Sequence, residues 1–153
     1  MVILFLLASS SKNVCLKLYH LIDHDADDIQ VHPIIFPELH TFEFHIGEWE
    51  DIGPMIHHHL PLIKSAPNLS TIHITVTEET KESDLSFIRN SSGWKEVDLQ
   101  LCRLAEVARG TVTLILDVVL SRELSIRRDV FGALAGSEFL SKFLKAGGLV
   151  RFE

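Results

Sequence analysis

Residues 36–46 read FPELHTFEFHI, residues 47–68 read GEWEDIGPMIHHHLPLIKSAPN and residues 69–77 read LSTIHITVT. An alternating run, a helix-length stretch of apolar periodicity and a second alternating run follow one another in that order. Two strands joined by a tight turn pair antiparallel, whereas parallel strands need a long crossover between them. The order therefore predicts a β-α-β unit, with parallel strands on either side of a crossover helix.

The two strands share one spelling. Leu39, Phe42 and Phe44 stand at the spacing L-x-x-Φ-x-Φ, and Leu69, Ile72 and Ile74 repeat it. In a leucine-rich repeat that spacing places a leucine in the turn and points the next two apolar residues inward from a short strand. The helix between them is expected from the stripe Trp49, Ile52, Met55 or Ile56, Leu60 and Ile63. Pro54 suits a first helical turn, Pro61 should kink or restart the helix, and Pro67-Asn68 should stop it.

Working outward toward the N-terminus, Ser11-Lys12-Asn13-Val14 matches Ala66-Pro67-Asn68-Leu69, so Val14–Leu21 is expected as another strand. On this comparison Met1 falls inside the crossover helix of an earlier repeat, and the chain reads as the C-terminal part of a longer repeat protein. The apolar run Val2–Ala8 has no Lys or Arg before it, unlike a secretory leader. It is also far short of the roughly 20 residues of a membrane-spanning helix.

Toward the C-terminus, EETKESDLSFIRNSSGW is polar and reads as a longer connection, with room for a short helical turn at Leu85–Ile88. Trp94, Val97, Leu101, Leu104, Ala105 and Ala108 mark an amphipathic helix, with Gly110 placed as its C′ residue. TVTLILDVV follows as a strand with Leu114, Leu116 and Val118 on one face. Val130, Phe131 and Leu134 begin a further helix, Gly136 interrupts it, and Ser137 is placed to cap a second piece carrying Phe139, Leu140, Phe143 and Leu144. Gly147-Gly148 ends that helix, and Leu149–Phe152 forms a last strand. The motif position recurs at Val14, Leu39, Leu69, Val112 and Leu149 at uneven intervals. The predicted fold is α/β: one domain over residues 1–153, an irregular leucine-rich-repeat-like solenoid. Its parallel sheet has about five short strands, with helices on the convex side.

The 153 residues suffice for one core without a staple, because a chain of this length buries roughly 70% of its unfolded surface. The net charge of −7 argues against a nucleic-acid partner, which demands a clustered basic surface. Cys15 and Cys102 lie in apolar periodic segments, where a free thiol behaves as a small hydrophobe, and this usage suits a reducing, intracellular compartment.

FPELHTFEF, LPLIKSAPNLSTIHI, the tryptophan-led GWKEVDLQLCRL followed by TVTLILDV, and the terminal FLKAGGLVRFE together resemble the C-terminal leucine-rich-repeat-like region of divergent fungal F-box proteins. The resemblance implies a non-enzymatic protein-recognition scaffold, the substrate-holding part of a ubiquitin-ligase adaptor. It further implies that a Skp1-type subunit would be reached only through an F-box, and no F-box-like segment is read in these residues. If Phe42, Ile72 and Leu114 point inward, their neighbours form the opposite, concave face. Those neighbours are Lys17, Tyr19, Thr41, Glu43, His45, Thr71, His73, Thr75, Thr113, Ile115 and Asp117, the candidate protein-binding residues. Trp49 and Trp94, each heading a helix, read as packing anchors.

Catalytic and metal motifs are weak. Asp23, Asp25 and Asp27 follow the opening of an EF-hand, but Asp28 stands where glycine must turn and Ile34 where the bidentate Glu belongs. His57-His58-His59 cannot converge on one ion from a helix, where successive residues diverge by about 100°. His20 and His24 have i, i+4 spacing but flank a strand end. No G-x-S-x-G elbow, P-loop or G-x-G-x-x-G appears. Neither a catalytic residue nor a cofactor or metal is therefore assigned. The competing expectation is a small intracellular α/β enzyme with a degenerate site. A pocket at one end of the sheet with convergent ionisable residues would favour it.

Overall fold

From Phe42 onward, every second side chain of the first quoted run is buried and every other one is half-exposed, the burial pattern of a strand with one face against a core. The computed structural model describes residues 2–10, 13–21, 34–35, 37–53, 60, 63–81, 91–120, 128–129, 132 and 139–153. Its strands are β1 (Val2–Ser10), β2 (Asn13–Leu21), β3 (Ile34–Ile35), β4 (Leu39–Ile46), β5 (Ile63–Ser65), β6 (Thr71–Thr80), β7 (Thr113–Leu120) and β8 (Leu149–Phe152). Among the described residues the helices given in full are α1 (Ser91–Val107) and α2 (Ser141–Lys145), with a 3₁₀ turn at Trp49–Asp51.

Among the described residues the main sheet has six strands in the order β1-β2-β4-β6-β7-β8. Every pairing from β2 to β8 is parallel. Phe42, Ile72 and Leu114 lie side by side in register, as do Phe44, Ile74 and Leu116, and all six are fully buried. The repeated spelling is thus realised as apolar rows running across the sheet. Leu39, Leu69 and Val112 are buried at or just ahead of the starts of their strands, where the predicted turn residues belong. The β2–β4 register shifts between Val14 and Cys15 because β2 reads V-x-Φ-x-Φ, one residue shorter than L-x-x-Φ-x-Φ in β4.

Trp94, Val97, Leu101, Leu104 and Ala105 of α1 join the same core cluster as the inward rows, so the helical layer covers that face of the sheet. Trp49 and Trp94 meet edge to face at 6.0 Å, and Trp94 meets Phe139 at 4.7 Å. Both tryptophans are buried, as expected of packing anchors.

Several expectations are corrected. Val2–Ser10 is a strand, antiparallel to β2, and does not belong to a crossover helix. A run of seven apolar residues with β-branched and aromatic members forms a strand as readily as a buried helix, and periodicity alone does not separate the two. Ile63 does not continue the helix begun at Trp49; it lies in β5, which pairs with β3 as a separate two-stranded sheet. A proline two residues earlier in the chain has no N–H to give and works against helical propagation into Ile63.

Helix α1 stops at Val107, and Gly110 is not in the left-handed region where a C′ glycine sits. Instead Arg109 N–H donates to the Pro67 carbonyl at 2.8 Å, tying the end of the helix to the turn before β6. Leu149 is half-exposed and pairs with Thr113, so Val150 and Phe152 occupy the core-side positions of β8. β6 runs to Thr80, beyond the predicted end at Thr77.

Candidate functional site

The residues opposite the core rows are gathered by the register into three lines across the sheet. Thr41, Thr71 and Thr113 pair in succession, with Cys15 on one side and Leu149 on the other. Glu43, His73 and Ile115 pair next, flanked by Lys17 and Arg151. His45, Thr75 and Asp117 form the third, with Tyr19 beside His45. All eleven candidate positions therefore fall into one lattice. The nine on β4, β6 and β7 are half-buried. For Lys17 and Tyr19 only the strand position is described.

Such a lattice follows from the parallel pairing. In-register strands stack equivalent positions about 4.8 Å apart, so one period-two pattern repeated in sequence becomes a continuous surface. Among the described residues no helix packs on this face, since the apolar stripes of α1 and α2 are spent on the opposite one.

Imidazoles and carboxylates neighbour one another on this face. His45 Nε2 lies 3.9 Å from Glu43 Oε2, and His73 Nε2 lies 3.9 Å from Asp117 Oδ2. Asp117 is 45% exposed, so its contact is solvent-screened and contributes little to folding. What the pairs do is set imidazole nitrogens and carboxylate oxygens side by side on the face. Sequence reasoning missed Arg151 and Leu149. Their membership depends on which residue of β8 faces the core, and the apolar spelling LVRF leaves that open until Leu116 is seen beside Phe152.

A second feature lies at the C-terminal ends of β4 and β6, where a cleft of about 120 Å³ is lined by Glu48, Trp49, Glu50, Val76, Glu78, Glu79 and Lys81. Ionisable groups converge there, as the enzyme alternative requires. The cleft is small beside the roughly 300–1,000 Å³ of typical ligand sites. Four of its lining groups carry the same sign, and its described lining includes no Ser, Cys or His, so any acid-base chemistry there would fall to the glutamates.

Among the described residues no group of three His, Cys, Asp or Glu is placed to hold a metal ion. Asp23, Asp25, Asp27, Asp28, His24 and His57–His59 lie outside the described residues, as do Gly136 and Ser137. Cys102 is half-buried, not a core hydrophobe, and its thiol donates to Glu106 Oε1 at 3.6 Å. Burial pushes this thiol up from its ordinary pKa, with the Glu106 charge and hydrogen bond adding to the effect. No helix among the described residues is long and apolar enough to cross a membrane.

The fold and face together define the class only as an α/β protein with a parallel sheet, one face of which no helix covers among the described residues. No protein-family model, curated protein or solved structure matches the chain.

Proposed function

We propose that the chain is a non-enzymatic protein-recognition scaffold that holds a protein segment on the open face of its sheet. One observation carries this reading: nine half-buried residues of β4, β6 and β7 stand in three in-register lines on the face opposite the helical layer. The mixture of threonine hydroxyls, imidazoles, carboxylates and one apolar member suits many modest contacts to a polypeptide. The role implied by the sequence resemblance, the substrate-holding repeats of an F-box ubiquitin-ligase adaptor, is the specific form of the proposal. Two features support the stacked-repeat part of it. Asn68 in the turn before β6 donates to the Pro37 carbonyl in the turn before β4 at 2.8 Å. Ser70 N–H likewise donates to the His40 carbonyl at 2.9 Å, so equivalent turns are linked as equivalent strands are.

The acidic cleft favours the second reading, a small α/β enzyme. Its small size and mostly acidic lining make it the weaker of the two.

Site-specific photocrosslinking in cells tests the proposal, with the reactive group at Thr75 on the open face or at Leu99, which is exposed on α1. The expected outcome is one discrete protein adduct from Thr75, absent from Leu99 and lost on His73→Asp with Thr113→Lys. Equal labelling from both faces overturns the scaffold reading. A Thr75 adduct that contains no ligase component or ligase substrate leaves the scaffold standing and removes the F-box form of it. Turnover of a substrate abolished by Glu78→Gln at the cleft would favour the enzyme.

A further inference from the structure

We propose that β1 pairs antiparallel with β1 of a second copy of this chain about a two-fold axis, joining two six-stranded sheets into one. This pairing is independent of what occupies the open face.

Among the described residues β1 is the end strand of the sheet, with β2 as its one hydrogen-bonded neighbour. The outer backbone N–H and C=O groups of an end strand are a template for another strand. Proteins guard such edges with charge, proline, bulges or shortness. β8, at the opposite edge, has such guards: it is four residues long, carries Arg151 and is followed by Glu153. β1 has none. It is nine residues long, VILFLLASS, with no charged residue, proline or glycine, and it pairs with β2 without a register shift.

The register narrows the partner further. Leu4, Leu6 and Ala8 stand opposite Tyr19, Lys17 and Cys15, in the lines of the open face, while Phe5 and Leu7 stand opposite Leu18 and Leu16, in the core lines. The strand is therefore apolar in both alternations, and its partner must supply an uncharged strand that is apolar on both sides. Of the described strands of the main sheet, β1 itself meets that demand. Copies with a net charge of −7 repel, and an uncharged seam is where two of them can meet at least electrostatic cost. Because the same edge is used by both copies, the pairing is isologous and closes at two; β1 against β8 would set an apolar strand against Arg151 and grow without end.

The experiment is sedimentation velocity and light scattering on the 153-residue chain from about 1 to 100 µM, with the double variant Leu4→Glu/Leu6→Glu alongside it. The carboxylate introduced at position 6 would stand opposite Lys17 in its own chain, which favours the fold, but like charges would meet across the seam. The native chain is expected at twice its 17.3 kDa. The double variant is expected at the single-chain mass with an unchanged far-UV spectrum. A native chain at single-chain mass at 100 µM overturns the proposal. So does a dimer indifferent to the double substitution, or a mass that climbs with concentration without a plateau, the behaviour of an aggregating edge. If the variant does not fold, hydrogen exchange on the native chain decides: β1 amides should be protected at high concentration and lose at least tenfold in protection on dilution. Protection that is the same at both concentrations overturns it.

Discussion

Asp98 is the residue whose role is least visible from its neighbours in sequence. It sits mid-helix in α1, is buried, and accepts hydrogen bonds from the backbone N–H groups of Lys142 and Phe143 at 3.0 and 2.8 Å. Those are first-turn donors of α2, which the residue preceding the helix, Leu140, has no side-chain group to cap. A carboxylate from another helix thus does the work that a local Ser or Asp performs elsewhere. Asp98→Ala should lower stability by about 1.5–3 kcal/mol, the usual loss for a buried charge-assisted bond, read as a lower urea midpoint at unchanged slope. Similarly, Thr80→Val leaves the buried Trp49 indole N–H, now bonded to Thr80 Oγ1 at 2.9 Å, without its acceptor. The cost there is about 1–3 kcal/mol by the same denaturation measurement.

Cys102 gives a pH prediction. A thiol held above its ordinary pKa carries less thiolate at any given pH, and the thiolate is the nucleophile. In a Cys15→Ala background, alkylation of Cys102 by iodoacetamide should be slower than that of a free cysteine derivative, with its pH profile displaced upward. Removing the Glu106 carboxylate takes away the second cause while burial, the larger one, remains. Glu106→Gln should therefore move the profile part of the way back; a profile at or below that of the free thiol would contradict the geometry.

Among the elements, the end of α2 shows how local sequence and packing divide the labour. Gly147 adopts φ +86°, and the N–H groups of Gly147 and Gly148 return to the Leu144 and Phe143 carbonyls at 3.1 and 3.0 Å. This doubly bonded stop was legible in the Gly-Gly pair. The demand at the second glycine was not. A Cβ at Gly148 would fall on the Phe143 ring, which is fully buried. Gly147→Ala, in open space, should cost about 1 kcal/mol from the left-handed backbone alone. Gly148→Ala should cost more, since either ring or chain must move. Comparing the two thermal midpoints checks the assignment, and equal effects would contradict it. Arg103 on α1 likewise acts across elements, donating to the carbonyls of Leu60 and Ile63 at 2.7 and 3.2 Å and so fastening the helix to the start of β5.

For the whole molecule, what matters is which face of the sheet is spent on the core. Phe44→Ala removes a fully buried ring that packs edge to face on Phe42 at 4.2 Å, and should cost about 3–5 kcal/mol. Thr75→Ala, on the other face, should stay within about 0.5 kcal/mol while altering any binding the open face supports. Chemical denaturation of the pair measures the asymmetry directly.

The sequence by itself determined the parallel strands β4, β6 and β7, the helix between the last two, and the face each strand buries. These follow from period-two and helical alternation within single segments, and from connections too long for hairpins. Tertiary structure decided the rest. The direction of β1, the strand at Ile63, the inward residues of β8 and the cap supplied by Asp98 each depend on a partner far away in sequence. Short apolar runs fit helix or strand and either face equally well, and only the neighbour they bond to chooses between them.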